Sequence, residues 1–232
     1  MRLSMTTLAL IGSGHIGSTV ARLAVAAGMD VVLSNSRGPE TLKELVDELG
    51  GHATAVTAQE AAEAGDLLVV SVPLKAYRSI PAGPLAGRTV LETLNYYPER
   101  DGHIAELDAG TVTSSELVQR HLAGAHVVKA FNNIFFRHLH DLARPSGAPD
   151  RSALPVAGDD PAAKARAAEL LDALGWDTVD AGPLADSWRF QPGTPAYGLP
   201  YLTRPDAALA EDPGAPAPAA KIREALDAAV RG

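Results

Sequence analysis

The sequence predicts an α/β protein in which helices cover both faces of a doubly wound, mainly parallel sheet. Within residues 1–130, short apolar runs alternate with helical stretches, a pattern typical of successive βαβ units. Residues 67–72 form an apolar run, as expected for a central strand that is buried on both faces. Beyond Phe190 the composition changes, because seven prolines fall between Pro192 and Pro218, and no core element is expected there. We therefore predict one large α/β domain with a small C-terminal extension.

Composition narrows the class of protein. The chain has 232 residues, of which 46% are hydrophobic, so a sizeable core is expected and global disorder is excluded. Acidic residues outnumber basic ones, 28 to 20, whereas a general binder of nucleic acid or of anionic membranes needs excess Lys and Arg. The absence of cysteine excludes disulfides, iron–sulfur clusters, cysteine-ligated zinc and a thiol nucleophile. His138 and His140 are the one close histidine pair, and we expect them to be surface residues of a helix, with no metal.

No membrane-spanning helix is expected, since no stretch reaches the roughly 18 to 20 apolar residues that such a helix needs. The short apolar run near the N-terminus leads directly into a glycine motif, where a signal peptide would have a small-residue cleavage site. We therefore expect a cytoplasmic protein with no nucleic-acid or membrane partner.

Eight strands are predicted from short apolar runs between turn residues. They are residues 8–11, 31–33, 53–56, 67–72, 89–94, 126–130, 154–157 and 176–179. The first helix, residues 16–27, should end at Gly28, because glycine is the favoured residue just after a helix. The second, residues 40–49, should begin after Pro39, whose fixed φ suits a helix start.

The remaining helices are also predicted from their ends and faces. Thr57 and Glu60 have the spacing of a capping box, which places a helix after Thr57. Asp160 should open an alanine-rich helix over residues 161–174. Residues 219–230 form a last amphipathic helix, which we expect to dock onto the domain or a partner subunit; a lid over the active site is the alternative.

A glycine motif follows the first predicted strand and opens the first helix. In a G-x-G-x-x-G motif the first glycine permits the tight turn, the second lets a pyrophosphate approach, and the third allows close strand–helix packing. The free amides of the helix N-terminus then bind phosphate. We therefore predict a dinucleotide site at Gly12, Ser13, Gly14, His15, Ile16 and Gly17.

The end of the second strand predicts which dinucleotide binds. An NAD site places an Asp or Glu there, whereas this chain has Ser34, Asn35, Ser36 and Arg37. A carboxylate would repel a 2′-phosphate, while hydroxyls, an amide and a guanidinium can bind it. We therefore predict NADP(H), with Arg37 as the main ligand; the alternative for Arg37 is a solvated turn residue.

The residues after the central strand should also line the ligand crevice. Val72, Pro73 and Leu74 follow the predicted strand at its carboxyl end, and that edge binds ligands in open α/β sheets. Pro73 would bend the backbone beneath the cofactor. Lys75 could equally be a functional residue or a solvent-exposed surface lysine.

These motifs together resemble the NADP-dependent oxidoreductases of the 5-deazaflavin coenzyme F420. The resemblance spans residues 7–198 and rests on GSGHIG, SNSRGPETL, VPLKAY, NYYPERDG, VVKAFNNI, AGDDPAAK and DAGPLADSWRF. It implies a Rossmann-type fold in which hydride passes directly between nicotinamide and deazaflavin in a cleft beside the sheet. Ser36 and Arg37 match the family's 2′-phosphate site. Residues 1–190 would form the NADP-binding domain with the acceptor cleft, and residues 191–232 a proline-rich tail with a terminal helix.

Several polar and aromatic residues are candidate walls of the acceptor site: Asn95, Lys129, Asn132, Asn133, Trp188 and Arg189. Asn95 and Asn133 are also predicted to bind the cofactor. Each has an ordinary alternative, because Lys129 and the asparagines could cap a helix, and Trp188 and Phe190 could be core residues. Arg137 or Arg189 could neutralise the polyglutamate tail of the coenzyme, which an acidic protein would otherwise repel.

Two further functions stay open at this point. The chain could be an NADPH-dependent reductase of a flavin, a ferric chelate, an imine or a carbonyl compound, for which a proton donor is needed. Candidate donors are Tyr77, Tyr96, Tyr97 and Asp186. It could also be a redox sensor that binds NADP(H) without turnover. A homodimer is expected, since twofold dimers are the commonest assembly.

Overall fold

The computed structural model describes residues 7 to 231, and eight strands within that range form a single sheet. The strands are β1 (Thr7–Ile11), β2 (Asp30–Ser34), β3 (Ala53–Ala55), β4 (Leu67–Val70), β5 (Thr89–Glu92), β6 (His126–Lys129), β7 (Ala153–Gly158) and β8 (Asp177–Asp180). Their order is β3-β2-β1-β4-β5-β6-β7-β8. Strands β1 to β6 run parallel, β7 pairs antiparallel with β6, and β8 is parallel to β7. The predicted doubly wound, mainly parallel sheet is confirmed.

Helices cover both faces of this sheet. They are α1 (His15–Ala26), α2 (Lys43–Leu49), α3 (Ala58–Ala64), α4 (Pro98–Asp101), α5 (Ala105–Asp108), α6 (Ser114–His121), α7 (Phe136–Asp141), α8 (Pro161–Ala173) and α9 (Ala219–Asp227). Shorter 3-10 turns span Pro39–Leu42, Gly50–His52, Leu74–Ser79, Gly83–Leu85, Leu184–Phe190 and Leu199–Tyr201. The predicted capping box is present, since Thr57 and Glu60 bond reciprocally at the start of α3.

The core lies in two layers, one on each face of the sheet. Successive residues of a strand point to opposite faces, so Leu10 belongs to the layer that includes α1, α2, α7, α8 and α9, whereas Ile11 belongs to the layer that includes α3 and α6. Strands β1 and β4 are neighbours although two strands and three helices separate them in sequence. The sheet order reverses between them, and this switch point opens a crevice at the carboxyl ends of the strands.

The chain beyond Phe190 contributes to the same core, so the expectation that no core element lies there is wrong. Tyr201 is fully buried, and its hydroxyl donates a hydrogen bond to the Ala153 carbonyl at 2.9 Å. The Ala153 amide in turn donates to the Ala217 carbonyl at 2.8 Å. Prolines prevent a regular helix or strand, but they do not prevent side chains from packing or carbonyls from accepting hydrogen bonds.

The terminal helix α9 docks onto the sheet through one face. Ile222 and Leu226 are buried and join the layer that contains α1, and α9 lies against β7 and β8. The helix ends at Asp227, earlier than predicted, and Val230 is 84% exposed. This packing favours the docking interpretation of the segment.

His138 is buried, contrary to the prediction of a surface pair, because α7 packs beneath the segment that contains Asp212. Its Nε2 lies 2.8 Å from the Asp212 carbonyl oxygen. Among residues 7 to 231, no three His, Asp or Glu side chains are grouped so as to hold a metal ion. In the same range, no helix has the length and apolar character needed to cross a bilayer.

Candidate functional site

The glycine motif forms the turn between β1 and α1, and two of its glycines are required by close backbone approach. Gly12 has a φ of 102°, and a Cβ atom there would lie 2.2 Å from the Ser71 carbonyl oxygen. A Cβ on Gly17 would lie 2.1 Å from the Gly12 carbonyl oxygen. Gly14 differs, because no atom lies within 4 Å of a Cβ built there. The backbone therefore leaves no room for a side chain at the first and third glycines, whereas the space beside the second is empty.

The open side of the loop meets the start of α1. Gly14 is the N-cap of this helix, no side chain caps it, and its first turn carries no acidic residue. The first-turn amides and the positive end of the helix dipole are therefore available to an anion. This arrangement fits a pyrophosphate at the predicted position.

Ser34 connects the glycine loop to the end of β2. Its side chain is fully buried, and its hydroxyl donates to the Leu10 carbonyl at 3.0 Å. Its carbonyl accepts hydrogen bonds from the Gly12 amide and from the Ser13 hydroxyl, both at 3.0 Å. The Ser34 and Ser13 hydroxyls thus hold the two loops together, and Ser34 does not present its side chain at the surface.

The next three residues form an exposed turn. Asn35 organises it, since its Oδ1 accepts from the Arg37 amide at 2.9 Å and its Nδ2 donates to Thr41 Oγ1 at 2.8 Å. Ser36 and Arg37 are exposed, and the Arg37 guanidinium forms no ion pair with the residues that the structure describes. A hydroxyl and a free cation therefore lie at the surface, where the sequence predicts the 2′-phosphate.

Of the three residues after β4 that were predicted to line the crevice, Leu74 does not do so. Val72 is half-buried and Pro73 is exposed. Leu74 is fully buried in the layer that contains α3 and α6, so its side chain faces the core and not the crevice. Leu74, the first residue of a 3-10 turn, therefore contributes to the packing of the core.

Asn95, Asn132 and Asn133 lie at the carboxyl ends of β5 and β6. The Asn95 and Asn132 side chains face each other, with Asn132 Nδ2 donating to Asn95 Oδ1 at 3.1 Å and Asn95 Nδ2 to the Asn132 carbonyl at 2.8 Å. Asn133 Nδ2 donates to the Ala196 carbonyl at 2.9 Å. The Oδ1 atoms of Asn132 and Asn133 are buried and accept no hydrogen bond within residues 7 to 231. Such unpartnered acceptors are costly, and a ligand donor would satisfy them.

Phe131 sets the direction of these two asparagines. Its φ is 60°, and it is the one residue other than glycine with a positive φ in the described chain. A bulky residue in the left-handed region is strained, and such strain concentrates at functional sites. Its side chain is fully buried in the core, which holds the backbone in this conformation.

Lys129 and Glu92 form a fully buried ion pair beside the crevice. Lys129 Nζ donates to Glu92 Oε1 at 3.0 Å, to the Leu94 carbonyl at 2.7 Å and to Ser114 Oγ at 3.3 Å. Glu92 Oε2 accepts from the Leu94 amide at 2.7 Å, and Oε1 accepts from the Ser115 hydroxyl. The pair therefore fixes the backbone just before Asn95. Lys129 has no access to the crevice, so it is not a wall of an acceptor site.

A pocket of about 340 Å³ lies beside the first turn of α1. We call it the His15–Tyr197 pocket; its lining residues are His15, Ile16, Asn133, Ile134, Phe135, Phe136, Tyr197, Gly198 and Leu209. Most of this lining is apolar or aromatic, and the His15 ring stacks on the Phe136 ring with centroids 4.5 Å apart. The pocket therefore adjoins the predicted dinucleotide site and suits a flat, mostly apolar group.

Comparisons with known proteins identify the family. The family model described as "NADP oxidoreductase coenzyme F420-dependent" matches residues 7–96. The hypothetical protein SMa0349 of Sinorhizobium meliloti has a crystal structure that matches with a TM-score of 0.74 and 32% identity, covering 84% of this chain and 94% of that one. The chain belongs to this NADP oxidoreductase family.

Two further proteins are similar to this chain. A protein of Arthrobacter sp. FB24, provisionally assigned as an F420-dependent NADP reductase, matches with a TM-score of 0.67 and 26% identity over 79% of this chain and 87% of that one. The Escherichia coli protein YjhV is 47% identical over 53 residues, which are 23% of this chain and 39% of YjhV. The chain thus spans well under half the length of that curated relative.

In this family member, the remaining predicted wall residues lie away from the His15–Tyr197 pocket. Trp188 lines a separate cavity of about 440 Å³, where the Arg231 guanidinium lies 5.8 Å from its ring centre. Arg189 is paired with Asp227 at 2.8 Å, so it is not free to bind an anion. Phe190 is fully buried in the core.

Arg137 lies at the surface near the pocket, which favours it over Arg189 as a partner for an anionic group. Its guanidinium lies 5.9 Å from the centre of the Phe136 ring, and Nη1 is 3.3 Å from the Ala210 carbonyl. No carboxylate within residues 7 to 231 pairs with it.

The four candidate proton donors are separated by the structure. The Tyr77 hydroxyl accepts from Arg78, and the Tyr96 hydroxyl donates to Asp108 at 2.6 Å. Both side chains are half-buried, and neither lines the His15–Tyr197 pocket. Asp186 lies in the Leu184–Phe190 turn. Only Tyr97 reaches a residue of the pocket, since its hydroxyl lies 2.6 Å from the Tyr197 hydroxyl. Sequence reasoning missed Tyr197, because it lies in the proline-rich segment.

Proposed function

We propose that this protein catalyses direct hydride transfer between NADP(H) and coenzyme F420. The turn after β2 is the main support for NADP(H) as the cofactor. Residues 34–38 contain no carboxylate, and Arg37 is exposed and forms no ion pair with the described residues. A 2′-phosphate distinguishes NADP from NAD, and a free guanidinium beside a hydroxyl is the pair of groups that binds it.

The residues of the chain fit this cofactor at two points. The first-turn amides of α1 and the open face of Gly14 accept the pyrophosphate, while Ser36 and Arg37 hold the 2′-phosphate. When bound, the nicotinamide supplies or receives the hydride. Asn133 lines the His15–Tyr197 pocket, and its Oδ1 atom is buried and accepts no hydrogen bond within residues 7 to 231.

The family and the pocket support a deazaflavin as the acceptor. The matched family and the Arthrobacter relative both carry the coenzyme in their descriptions. The His15–Tyr197 pocket adjoins the dinucleotide loop, and its Phe135, Phe136 and Ile134 walls suit one face or edge of a flat heterocycle. Direct hydride transfer depends on proximity, orientation and exclusion of water, which such walls provide.

The experiment compares reductants and acceptors with purified protein. NADPH or NADH is mixed with oxidised coenzyme F420 or with FMN, and bleaching of each acceptor is followed by stopped-flow absorbance. We expect NADPH to reduce the coenzyme rapidly, with little reduction by NADH and little reduction of FMN. Rapid reduction of FMN instead would assign another acceptor, and tight NADPH binding without turnover of either would favour a sensor.

Arg37→Gln tests the residue that selects NADP(H). Loss of a charge-assisted contact to phosphate, worth about 1.5–3 kcal/mol, should raise the Kd for NADPH roughly 10- to 100-fold. The Kd for NADH should not change, because NADH has no 2′-phosphate. Lys43→Gln is the matched control, since Lys43 is an exposed cation on α2 paired with Asp47. An equal loss of affinity for both dinucleotides in Arg37→Gln would contradict this role.

A further inference from the structure

A tyrosine pair joins the loop after β5 to the proline-rich segment at the pocket. The Tyr97 and Tyr197 hydroxyls lie 2.6 Å apart although the two residues are 100 positions apart in sequence. Tyr197 lines the His15–Tyr197 pocket, whereas Tyr97 lies behind it. One hydrogen bond joins the two hydroxyls, so the Tyr197 oxygen keeps capacity for a second bond with an occupant of the pocket.

Both tyrosines are held from the backbone side. The Tyr97 amide donates to Asp101 Oδ2 at 3.0 Å, and the Arg100 guanidinium lies 4.8 Å from the Tyr97 ring centre. Tyr197 is followed by Gly198, whose φ is 74° and whose amide donates to the Asn133 carbonyl at 2.8 Å. The pair is thus tied to the loops after β5 and β6, which carry the candidate site residues Asn95 and Asn133.

Burial of Tyr197 keeps its hydroxyl protonated. Burial raises the pKa of Tyr197 well above its usual value; the hydrogen bond with Tyr97 raises it further, and the nearby Arg100 guanidinium opposes the shift. Burial opposes ionisation of Asp101, but hydrogen bonds from Arg100 and from the Tyr97 and Lys75 amides outweigh it and lower the pKa of Asp101. Since the usual pKa of tyrosine is about 10, Tyr197 keeps its O–H group at neutral pH.

We propose that Tyr197 is a catalytic residue that donates a proton to the bound acceptor as the acceptor is reduced, with Tyr97 and Arg100 as positioning residues. This inference rests on the proposed function, because it requires a conjugated acceptor in the His15–Tyr197 pocket. Most of the pocket lining is apolar, and Tyr197 is the one lining residue with a hydroxyl group, so it would favour an acceptor with a polar edge.

The proton balance follows from the chemistry of hydride addition. Hydride transfer breaks one C–H bond of the nicotinamide, forms one on the acceptor and shifts an electron pair of the acceptor onto a nitrogen or oxygen atom. The Tyr197 O–H bond breaks as its proton moves to that atom, and the Tyr97 proton moves to the Tyr197 oxygen. Tyr97 then takes a proton from water, and the Arg100 guanidinium over its ring stabilises the negative charge in the interval.

The test compares Tyr197→Phe with Tyr97→Phe and with Tyr77→Phe, a control that removes a hydroxyl bonded to Arg78 outside the His15–Tyr197 pocket. The measured quantities are the Kd for NADPH and the single-turnover rate of coenzyme F420 reduction from pH 6.5 to 9. Loss of a general acid should lower the rate of Tyr197→Phe about 100-fold without changing the Kd for NADPH. Tyr97→Phe should show a smaller loss, and Tyr77→Phe none.

The pH profile separates a chemical role from a structural one. Without Tyr197 the proton must come from the solvent, so the ratio of the wild-type rate to the Tyr197→Phe rate should rise with pH. The charged and titratable groups that face the pair are Arg100 and Asp101 on α4 and His15 on α1. They are present in both proteins, so their titration cancels in the ratio.

Two results would overturn the inference alone: a Tyr197→Phe rate within twofold of the wild type, or a loss whose size is the same at every pH. Absence of coenzyme F420 reduction by the wild-type protein would instead overturn the proposed acceptor and this inference together. The wild-type and variant measurements therefore distinguish the two failures.

Discussion

The buried pair of Glu92 and Lys129 gives a sharp test of how the site is held. The exposed fractions of the two side chains are 0% and 1%, and Lys129 Nζ donates to Glu92, to the Leu94 carbonyl and to Ser114. Lys129→Met removes the cation and all three donors but keeps a similar apolar stem. It leaves the Glu92 carboxylate buried without a cation and the Leu94 carbonyl without this donor.

The size of the effect follows from what remains buried. Removing one partner of a buried ion pair costs about 3–5 kcal/mol, because the remaining charge is not compensated. Glu92→Gln should cost about as much, since it leaves the Lys129 ammonium in the same position. In the double variant both charges are gone, and only unmade hydrogen bonds remain, worth about 1–3 kcal/mol. The double variant should therefore be more stable than either single variant.

The assay is urea unfolding at 25 °C, with the free energy of unfolding obtained for the wild type, both single variants and the double variant. The coupling energy of the cycle should be at least about 2 kcal/mol. Lys43→Met is the control, because Lys43 and Asp47 form an exposed pair at 2.6 Å that should contribute less than about 1 kcal/mol. A cost below about 1 kcal/mol for Lys129→Met, or additive single effects, would refute the reasoning.

Three further changes have defined outcomes. Gly12→Ala should lower the free energy of unfolding by at least about 1–3 kcal/mol, because its φ is 102° and the new Cβ would meet the Ser71 carbonyl. Gly14→Ala should leave unfolding unchanged but weaken NADPH binding in calorimetry, since its Cβ would occupy the open side of the loop. Hydrogen bonds from Thr203 and Gly214 outweigh the effect of burial and lower the pKa of Asp212. The wild type should therefore be more stable than Asp212→Asn at pH 7, and the difference in Tm should shrink below about pH 4; a constant difference from pH 7 to 3 would contradict this.

Much of the dinucleotide loop could be predicted from sequence because local rules determine it. The spacing of Gly12, Gly14 and Gly17 is imposed by one turn between one strand and one helix, and the structure assigns each glycine a distinct steric environment. The exposed turn with Arg37 could be predicted for the same reason, because the end of a single strand determines its position. Neither feature depends on distant partners.

Side-chain direction was harder to predict, since it depends on neighbours that the pattern does not show. Ser34 was grouped with the surface turn, yet its hydroxyl bonds the Leu10 carbonyl of the adjacent strand. Leu74 was placed in the crevice, yet it packs in the core. The sequence predicts Lys129 as a wall residue because it does not show the buried partner of this lysine. Glu92 lies 37 positions earlier, and the pairing of β5 with β6 brings the two together.

The proline-rich segment was the main error, and its cause is physical. Prolines exclude regular secondary structure, but burial of Tyr201 and the hydrogen bond between Ala153 and Ala217 need none. Tyr197 was missed for the same reason, because its contact with Tyr97 is a tertiary contact between two irregular loops.

The central claim is direct hydride transfer from NADPH to coenzyme F420, and deuterium labelling tests it most directly. NADPH that carries deuterium at both C4 positions of the nicotinamide is mixed with the oxidised coenzyme and the protein in ordinary water, and the mass of the reduced coenzyme is measured. We predict that one deuterium atom per molecule appears in the product, because the hydride does not exchange with solvent during direct transfer. Reduced coenzyme without deuterium, or no consumption of NADPH, would contradict the claim.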